Sequence, residues 1–484
     1  MSRHLLFVVS MTALMGCGGK SSPATLSGEC INPTKFGAIV DDGKDDREAI
    51  QAAVDAAGRE HADVCLPSGT LHVSRNANDI SSIVIAVEGV GIRGSGETSR
   101  LEMLATEAPA SRDWWVIRVS GSRHTLQDFS ISGTARGITN EQTHLIQVLG
   151  PANDVLLQRL QLSLPEQSTS RGGDCIRLLG EKTAPVHNVR IANVEGIACA
   201  RSFIAFQRHV SDVIVEKVKS ISIGGAAIDM EPTGDGAIRN VVIRTSEFRR
   251  GEVARGGWAI SLAGNAIPSE NLVLEDSMIE ASVWVYNVHG ATIRRNKIVG
   301  GMKDRGMVRI TKDSQRIVVD HNVLLRNDSE GDGVEITSHN GAWPSTITIK
   351  NNEITLLRGG FPIHAEPVDG IDVVDNRVRC APNSGAAAIY LRGVATSIRR
   401  AKIRNNHIRG NCAQAVRVAR HGAKSTGDIV VEDNEVDGAS EGVVFENGEP
   451  DVPPVVNRNV FRGVPNARRV LGAERKGFRG SNSE

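Results

Sequence analysis

The sequence is poor in aromatic residues and has no excess of either charge. Phe, Trp and Tyr make up 4% of the 484 residues, although hydrophobic residues make up 40%. A core must therefore be built from Val, Ile, Leu and Ala. The 56 Lys and Arg residues balance 56 Asp and Glu residues, so the chain lacks the basic excess that neutralises phosphates. We expect no nucleic-acid partner.

Motifs of several common chemistries are also missing. The cysteines are scattered and no His-x-x-x-His helix is present, which argues against a zinc site. The sequence has neither a nucleophile elbow nor a dinucleotide fingerprint. The glycine-rich stretch from Gly91 to Gly96 is followed by no lysine or helix start, so it is not a phosphate loop.

The N-terminus has the features of an export signal. Arg3 precedes an apolar run from Leu5 to Leu14, which is too short to span a bilayer permanently. The run ends in Met15-Gly16-Cys17, followed by Gly and Ser residues. This ending resembles the lipobox of bacterial lipoproteins, and the resemblance implies lipidation of Cys17. The alternative is an ordinary signal peptide in which Cys17 is incidental.

The lipobox resemblance implies a domain plan and a location. Residues 1–16 would be the signal peptide and residues 17–34 a flexible tether. The mature protein would be an exported lipoprotein held to the outer membrane or cell surface through a membrane anchor at Cys17. Residues 471–484 form a polar tail.

From about residue 140 onward one pattern recurs: a short apolar alternation, a turn, a second alternation, then Asn-x-apolar. Successive copies of the Asn are 26, 30, 24, 30, 28 and 25 residues apart. This period indicates a stacked architecture, and the period-2 strands before each Asn favour β-structure. We predict an all-β fold, a right-handed parallel β-helix (solenoid) over residues 35–470. The copies of the Asn are Asn296, Asn322, Asn352, Asn376, Asn406, Asn434 and Asn459.

The Asn has a physical reason to recur. At a sharp corner Asn tolerates the left-handed backbone region. Its side-chain amide can also bond the same Asn one turn above and below, so a buried stack satisfies itself. The 50 glycines spread along the chain fit the many tight turns that this fold needs.

Six cysteines remain after Cys17. Two pairs are separated by 24 and 32 residues, close to the repeat period, which would bring them within disulfide range on adjacent turns. In an oxidising compartment we expect three disulfides, with buried free thiols as the alternative. The expected pairs are Cys175 with Cys199, Cys380 with Cys412, and Cys30 with Cys65.

The N-terminal part of the solenoid carries the most recognisable motif. It contains Phe36-Gly37-Ala38, Asp45-Asp46, the stretch Ala49–Ala57 and Val64-Cys65-Leu66-Pro67. This segment resembles the pectate-lyase-like superfamily, which includes rhamnogalacturonases, polygalacturonase relatives and phage tailspikes. The family's glycine after Asp41 is replaced by Asp42. Residues 46–57 predict an amphipathic α-helix that plugs the open end of the solenoid, within an end cap of about residues 35–75.

Alternation within each turn predicts two columns of outward side chains. They concentrate Arg, Glu, His and Tyr, which indicates a carbohydrate groove. The first column is Arg177, Gln207, Asp229, Ser261, Trp284, Arg309, Glu335, His364, Tyr390 and Arg417, and the second is Glu231, Ala263, Tyr286, Thr311, Thr337, Glu366, Arg392 and Ala419.

The columns offer candidate catalytic groups for two reactions. Asp229 and Glu231 have the strand spacing of an inverting hydrolase pair, and Glu335 with Glu366 is a second pair. For a lyase, a base such as Arg309, His364 or Tyr390 would abstract the proton α to a uronate. Asp229 and Glu231 could then hold Ca²⁺ as a cofactor.

Other column residues are candidates for substrate binding. Trp284, Tyr286 and Tyr390 offer stacking faces, Arg392 and Arg417 offer forks for uronate carboxylates, and Glu366 lies in the same column. The alternative is that these charges are cross-strand ion pairs that only stabilise the sheet.

The enzyme motifs of the resembled family are only partly present. Polygalacturonases carry an aspartate trio, a His-Gly and an Arg-x-Lys. Here His289-Gly290 and Arg309-Ile310-Thr311-Lys312 match weakly, and Asp174 stands alone where two carboxylates are expected. We predict a surface-anchored polysaccharide lyase or glycoside hydrolase for acidic, uronate-containing glycans. The alternative is a non-catalytic carbohydrate-binding or cell-envelope protein.

Overall fold

Short parallel strands separated by tight turns run from Cys30 to Leu471. The computed structural model describes residues 30–76, 78–104, 113–133, 142–165, 173–249, 258–366, 369–381, 385–394, 399–421, 427–446 and 452–471. Cys17, the predicted signal peptide and tether up to residue 29, and the tail beyond residue 471 lie outside these residues. Within the described ranges, no helix is long and apolar enough to cross a membrane.

The first part of the fold contains eight strands and the only α-helix of the described residues. They are β1 (Cys30–Ile31), α1 (Arg47–Glu60), β2 (Asp63–Cys65), β3 (Gly69–Val73), β4 (Ser81–Ile85), β5 (Ile92–Arg93), β6 (Ser99–Met103), β7 (Trp114–Ser132) and β8 (Thr143–Ser163), with short 3-10 helices at Pro33–Phe36 and Gly96–Thr98.

The following turns each contribute three strands. They are β9 (Ile176–Gly180), β10 (Val186–Ala192), β11 (Glu195–Ile197), β12 (Ile204–Arg208), β13 (Val210–Glu216), β14 (Lys219–Ile221), β15 (Ile228–Met230), β16 (Ile238–Arg244), β17 (Glu247–Phe248), β18 (Trp258–Ala263), β19 (Ser269–Glu275), β20 (Met278–Glu280), β21 (Ser282–Tyr286), β22 (Val288–Arg294), β23 (Lys297–Val299), β24 (Val308–Thr311), β25 (Gln315–Asp320) and β26 (Val323–Arg326).

The last turns repeat the same plan. They comprise β27 (Val334–Thr337), β28 (Ser345–Lys350), β29 (Glu353–Leu356), β30 (Ile363–Glu366), β31 (Asp369–Val374), β32 (Arg377–Arg379), β33 (Ala387–Val394), β34 (Arg399–Arg404), β35 (His407–Arg409), β36 (Gln414–His421), β37 (Ile429–Glu432), β38 (Glu435–Asp437), β39 (Glu441–Glu446), β40 (Val455–Asn457), β41 (Val460–Arg462) and β42 (Asn466–Leu471).

From β9 onward these strands stack into three parallel sheets, because each strand pairs with the strand three positions later in the chain. We call them sheet A (β9, β12, β15 and so on to β42), sheet B (β10, β13, β16 and so on to β40) and sheet C (β11, β14, β17 and so on to β41). The long strands β7 and β8 bend through all three. The predicted parallel β-helix is confirmed.

In-register aliphatic residues fill the interior. In sheet A, Ile204, Ile228 and Ile260 stand in register and are buried. Because side chains alternate across a strand, their neighbours point outward. The core is built mainly from Val, Ile, Leu and Ala, as the low aromatic content required.

Helix α1 closes the N-terminal end of the solenoid, as predicted. Its apolar face buries Ile50, Ala53 and Ala57. The amide of Gln51 donates to the carbonyl of Val84 (3.1 Å) and accepts from its N–H (2.8 Å). Val84 lies in β4, which stacks through β7 and β8 onto the first strand of sheet A, so the helix satisfies backbone groups at the open edge of that stack.

The predicted Asn ladder is present, but the reason for its position differs from the expectation. Each ladder Asn is buried, and its Nδ2 donates to Oδ1 of the next Asn, as in Asn352 to Asn376 (3.0 Å). The left-handed backbone falls on the preceding residue, for example Asn351 (φ 55°) and Asp375 (φ 56°). The Asn is therefore needed for its inward amide, and its neighbour makes the corner.

Three disulfides connect the predicted pairs. Cys30–Cys65, Cys175–Cys199 and Cys380–Cys412 have Cα–Cα distances of 5.6, 5.7 and 5.4 Å. The first joins the N-terminal strand to the end cap, and each of the other two joins adjacent turns.

Candidate functional site

The outer face of sheet A carries the two predicted columns. Asp229, Ser261, Trp284 and Arg309 stand in register, followed by Glu335, His364, Tyr390 and Arg417. One member was wrong. Ala205 occupies the position between Arg177 and Asp229, whereas Gln207 pairs with Leu179 two residues further along.

Asp229 lies in β15 and Glu231 directly follows this strand. The two residues are two positions apart, so their side chains point to the same face. The hydroxyl of Ser202 donates to Asp229 Oδ2 (3.3 Å). Arg201 Nη1 donates to Glu231 Oε2 (3.2 Å), and the Glu231 side chain is 49% exposed. Burial, followed by the negative charge of Glu231, raises the pKa of Asp229 to about 7. The pair thus combines a carboxyl that holds its proton near neutrality with a solvent-accessible carboxylate.

A buried polar network supports this pair from the preceding turns. Arg201 forms a bidentate ion pair with Asp174 (2.8 and 2.7 Å), which is fully buried. Burial opposes ionisation of Asp174, but Arg201 outweighs it, so the pKa of Asp174 is lowered. Arg201 therefore connects a buried carboxylate to Glu231 and fixes the position of that side chain.

His144 and Arg177 complete the network. Burial lowers the pKa of His144 to about 3, so the ring is neutral at pH 7. Arg177 Nη1 lies 3.0 Å from His144 Nε2. The other ring nitrogen, Nδ1, accepts a hydrogen bond from the backbone N–H of Asp174 (3.1 Å) and lies 3.3 Å from Asp174 Oδ2.

The guanidinium of Arg177 hydrogen-bonds neutral groups, while the carboxylates of Asp174 and Asp113 act on it electrostatically. Its guanidinium contacts Gln142 Oε1 (2.5 Å), Gln207 Oε1 (3.1 Å from Nε) and His144, all of which are neutral. It stands two strands from Asp229 in the first column, about 9.6 Å by strand spacing.

Aromatic side chains lie on the other side of the pair. Trp258 and Trp284 are stacked with ring centroids 5.4 Å apart, and Tyr286 lies 4.9 Å from Trp284. Lys312 Nζ is 4.8 Å from the Tyr286 ring, and His339 meets its edge. We call Trp258, Trp284 and Tyr286 the aromatic strip. The predicted Trp284 and Tyr286 belong to it.

The predicted Arg309 and Glu335 form a pair of their own. Arg309 Nε lies 3.3 Å from Glu335 Oε1, and the Gly306 N–H donates to Glu335 Oε2 (2.7 Å). Their positions are three and four strands beyond Asp229. Glu335 is in register with His364, and Glu366 with Thr337, so Glu335 and Glu366 do not face one another as a direct pair.

His364 is held between two carboxylates. Its Nδ1 lies 2.8 Å from Asp332 Oδ2 and its Nε2 lies 3.1 Å from Glu366 Oε1. Burial works against protonation, but these two hydrogen bonds outweigh it and raise the pKa of His364 to about 9. The hydrogen bond with His364 lowers the pKa of Glu366 to about 2, assisted by Arg392 at 2.6 Å. His364 is cationic at neutral pH and cannot accept a proton.

Tyr390 and Arg417 continue this stack. His364 and Tyr390 are stacked with centroids 5.2 Å apart, and Arg417 lies 4.9 Å from the Tyr390 ring on the next turn. Arg417 also pairs with Glu446 (2.5 Å). Tyr390 is only 6% exposed, and burial raises its pKa. The polar side chains in this part of the groove are therefore bonded to one another. This agrees with the alternative that they are cross-strand ion pairs that stabilise the sheet.

The candidate residues thus form two separate groups, and three network members were missed. His144 and Arg201 lie outside the predicted columns, and Asp174 was noticed only as an incomplete family motif. What distinguishes these three residues is that their polar groups are buried together, and the sequence pattern does not show burial. His289 lies on sheet B, in register with Gln315, and so does not contribute to sheet A. Among the described residues, no three His, Cys, Asp or Glu side chains form a metal-binding group.

Comparison with known proteins agrees with the fold. Residues 174–378 match the family model described as right handed beta helix region. The tailspike protein of E. coli bacteriophage HK620, solved as a double mutant with a pentasaccharide, is 10% identical. The match covers 91% of this chain and 78% of the tailspike, with a TM-score of 0.52. No curated protein matches the sequence.

A second structural neighbour is the pre-mature gene product 12 of bacteriophage phi29. It is 12% identical, and the match covers 91% of this chain and 72% of that protein, with a TM-score of 0.51. At these identities the two likenesses show the shared fold, which is a right-handed parallel β-helix.

Proposed function

We propose that this protein hydrolyses an acidic polysaccharide bound along sheet A. The observation that carries the proposal is the pair of Asp229, which keeps its proton near pH 7, and Glu231, which is exposed beside it. Residues two apart on one strand are ~6.5–7 Å apart. This separation is at the lower limit for an inverting glycosidase, which needs room for one water molecule.

The two carboxyl groups have distinct roles in this reaction. Asp229 donates its proton to the glycosidic oxygen as the bond to the anomeric carbon breaks. Glu231 accepts a proton from the water that attacks that carbon from the opposite face. Arg201 is a positioning residue, because its contacts with Asp174 and Glu231 hold the base in place.

The surroundings of the pair support an acidic, extended substrate. Arg177 brings a positive charge that suits a uronate carboxylate, although Asp174 and Asp113 offset part of it. The aromatic strip offers ring faces for sugars on the other side. The HK620 tailspike, which shares the fold, was solved with a pentasaccharide.

The test is product formation from a panel of polygalacturonate, alginate and neutral dextran, with and without Ca²⁺. We expect new reducing ends from an acidic polymer without ultraviolet-absorbing unsaturated ends, and inversion at the anomeric carbon. Asp229→Asn and Glu231→Gln should each reduce the rate by about 10²–10⁴-fold. Glu97→Gln, which changes an exposed carboxylate of the 3-10 helix Gly96–Thr98, is the matched control and should leave the rate unchanged.

Two outcomes would contradict the proposal. Unsaturated ends would identify a lyase, and glycan binding without any product would identify a non-catalytic binding protein. The lyase reading requires a base, and the protonated His364 and the buried Tyr390 fit that role poorly at neutral pH.

We also propose that Cys17 carries a lipid that anchors the protein to the bacterial outer membrane or cell surface. The support is the sequence Met15-Gly16-Cys17 after an apolar run. Metabolic labelling with a radioactive fatty acid should label the protein with its unchanged sequence. Cys17→Ser should lose the label and appear in the soluble fraction of the cell envelope, and retained labelling would contradict the proposal.

A further inference from the structure

Sheet C carries three exposed arginines on two adjacent strands. Arg377 and Arg379 point outward from β32, and Arg409 points outward from β35. Arg379 and Arg409 stand directly in register, so their Cα atoms are about 4.8 Å apart. We call these three residues the sheet C arginine cluster. They line a concave cavity of about 670 Å³.

This arrangement breaks a rule that the chain follows elsewhere. At the end of sheet B, Glu216, Arg244, Glu275, Arg294, Asp320 and Lys350 stand in register and alternate in sign. Ion pairs of 2.6 Å join Arg244 to Glu216 and Arg294 to Glu275. In contrast, Arg379 faces Arg409, and like charges directly opposite destabilise a sheet.

The charges of the cluster are compensated only in part. Within the described part of the chain, neither Arg377 nor Arg379 makes a side-chain hydrogen bond or ion pair. Arg409 Nε donates to His407 Nε2 (2.7 Å), and the carboxylate of Glu435 acts on Arg409 electrostatically. The in-register carboxylates, Glu353 beside Arg377 and Asp437 beside Arg409, form no ion pair with them. The guanidinium donors are therefore free to bind a ligand.

A disulfide fixes the two strands that carry the cluster. Cys380 follows Arg379 directly, and Cys412 lies three residues after Arg409. The bridge joins the adjacent turns at the point where the two like charges meet. The bridge keeps the two strands, and with them Arg379 and Arg409, adjacent despite the repulsion between the two charges. Two cations that are already adjacent before binding form a preorganised anion site.

We propose that the sheet C arginine cluster is a second binding site, for the sulfate or carboxylate groups of an anionic glycan. Arg379 and Arg409 would together bind one sulfate or carboxylate group, and Arg377 would bind a neighbouring anionic group of the same glycan. The flanking carboxylates Glu353 and Asp437 can accept hydrogen bonds from sugar hydroxyls. The same carboxylates would repel a continuous anionic membrane surface, which favours a glycan. This site lies on a different sheet from Asp229, and its occupancy does not depend on catalysis.

The test measures binding separately from cleavage. Titration calorimetry would use Asp229→Asn as the parent and dextran sulfate, polygalacturonate and neutral dextran as probes. Arg379→Gln/Arg409→Gln should weaken binding of an anionic polymer by about tenfold or more, since two charge-assisted hydrogen bonds are lost. It should also flatten the dependence of affinity on salt. The matched control is Arg316→Gln/Arg399→Gln, which removes the same charge from exposed positions of sheet B.

Each result has a definite consequence. Binding that is weakened in the cluster variant but not in the control variant supports the site. Tighter binding of dextran sulfate or of polygalacturonate identifies whether the preferred anion is sulfate or carboxylate. An equal loss in the control variant, unchanged affinity in the cluster variant, or equal binding of neutral dextran would overturn the proposal. Binding to anionic phospholipid vesicles without binding to any of the three polymers would also overturn it. The unfolding midpoint of the cluster variant, which should not fall, verifies that it is folded.

Discussion

Asp229 and Glu231 share one face of sheet A, yet their environments differ: burial and the charge of Glu231 raise the pKa of Asp229 to about 7, whereas Glu231 is half-exposed. Asp229 is enclosed and receives a hydrogen bond only from Ser202 among the described residues, whereas Glu231 is exposed and contacts Arg201. Such a difference in environment between two neighbouring carboxyl groups is the usual basis for one acting as the acid and the other as the base.

The first prediction is the pH profile of cleavage. Because Asp229 must be protonated to act as the acid, the rate should fall as pH rises above about 7, the pKa of Asp229. The measurement is kcat across pH 4–10 on the best acidic polymer. Glu97→Gln should give the same profile, and a rate that keeps rising to pH 9 would contradict the acid role.

The second prediction concerns stability at the same residue. The pKa of Asp229 is raised on folding, so the folded state binds more protons and loses stability as pH rises from about 4 to about 7. Asp229→Asn removes this penalty and should stabilise the protein at pH 8 by about 2 kcal/mol, with little effect at pH 4. Urea unfolding at both pH values measures the difference. An equal effect at both would show that Asp229 is not protonated on folding.

The third prediction tests the buried ion pair. Asp174→Asn leaves Arg201 without its bidentate partner and should cost about 3–5 kcal/mol of unfolding free energy. Because the pKa of Asp174 is lowered on folding, its contribution is present above its unfolded pKa and is lost as pH falls through the folded value. Asp212→Asn, an exposed carboxylate bonded to Asn240, should change stability by at most about 0.5 kcal/mol. Similar losses in both variants would contradict a special role for the pair.

The fourth prediction separates the ladder from the corner beside it. Asn376→Leu removes five side-chain hydrogen bonds, among them those to Asn352 and Asn406, and leaves the buried backbone N–H of Asn352 without its acceptor. It should cost about 2–4 kcal/mol. Asn405→Gly, at a left-handed corner (φ 54°), should be neutral within about 0.5 kcal/mol because Gly adopts that conformation freely. Chemical unfolding compares the two. Equal costs would mean that the corner, not the amide, requires Asn.

Much of the fold follows from local rules that the sequence displays. The repeated Asn and the period-2 strands require only that each turn resemble the next, and the cysteine pairs follow from that period. The capping face of α1 follows from helical periodicity at Ile50, Ala53 and Ala57. The error at Gln207 arose because turn lengths vary, so a register counted along the chain can shift by two residues without changing which face points outward.

The site was only partly predictable, because its chemistry depends on burial and on contacts across turns. Asp229 and Glu231 could be chosen from spacing alone. Nothing in the one-dimensional pattern connects Arg201 to Asp174 on the preceding turn, or places the neutral His144 beneath them. Likewise, His364 looks like a base in the sequence, and only the carboxylates on both of its ring nitrogens reverse that expectation.

The last prediction concerns His364. Its pKa is raised on folding to about 9 by Asp332 and Glu366, so its contribution to stability is fully present below about pH 6.5 and is lost as pH rises through 9. His364→Gln should therefore cost about 2 kcal/mol at pH 6 and much less at pH 10. NMR titration of the ring protons should give a midpoint near 9, and cleavage by the variant at pH 7 should persist. A midpoint near 6.5, or loss of cleavage in a variant that remains folded, would restore His364 as a candidate base.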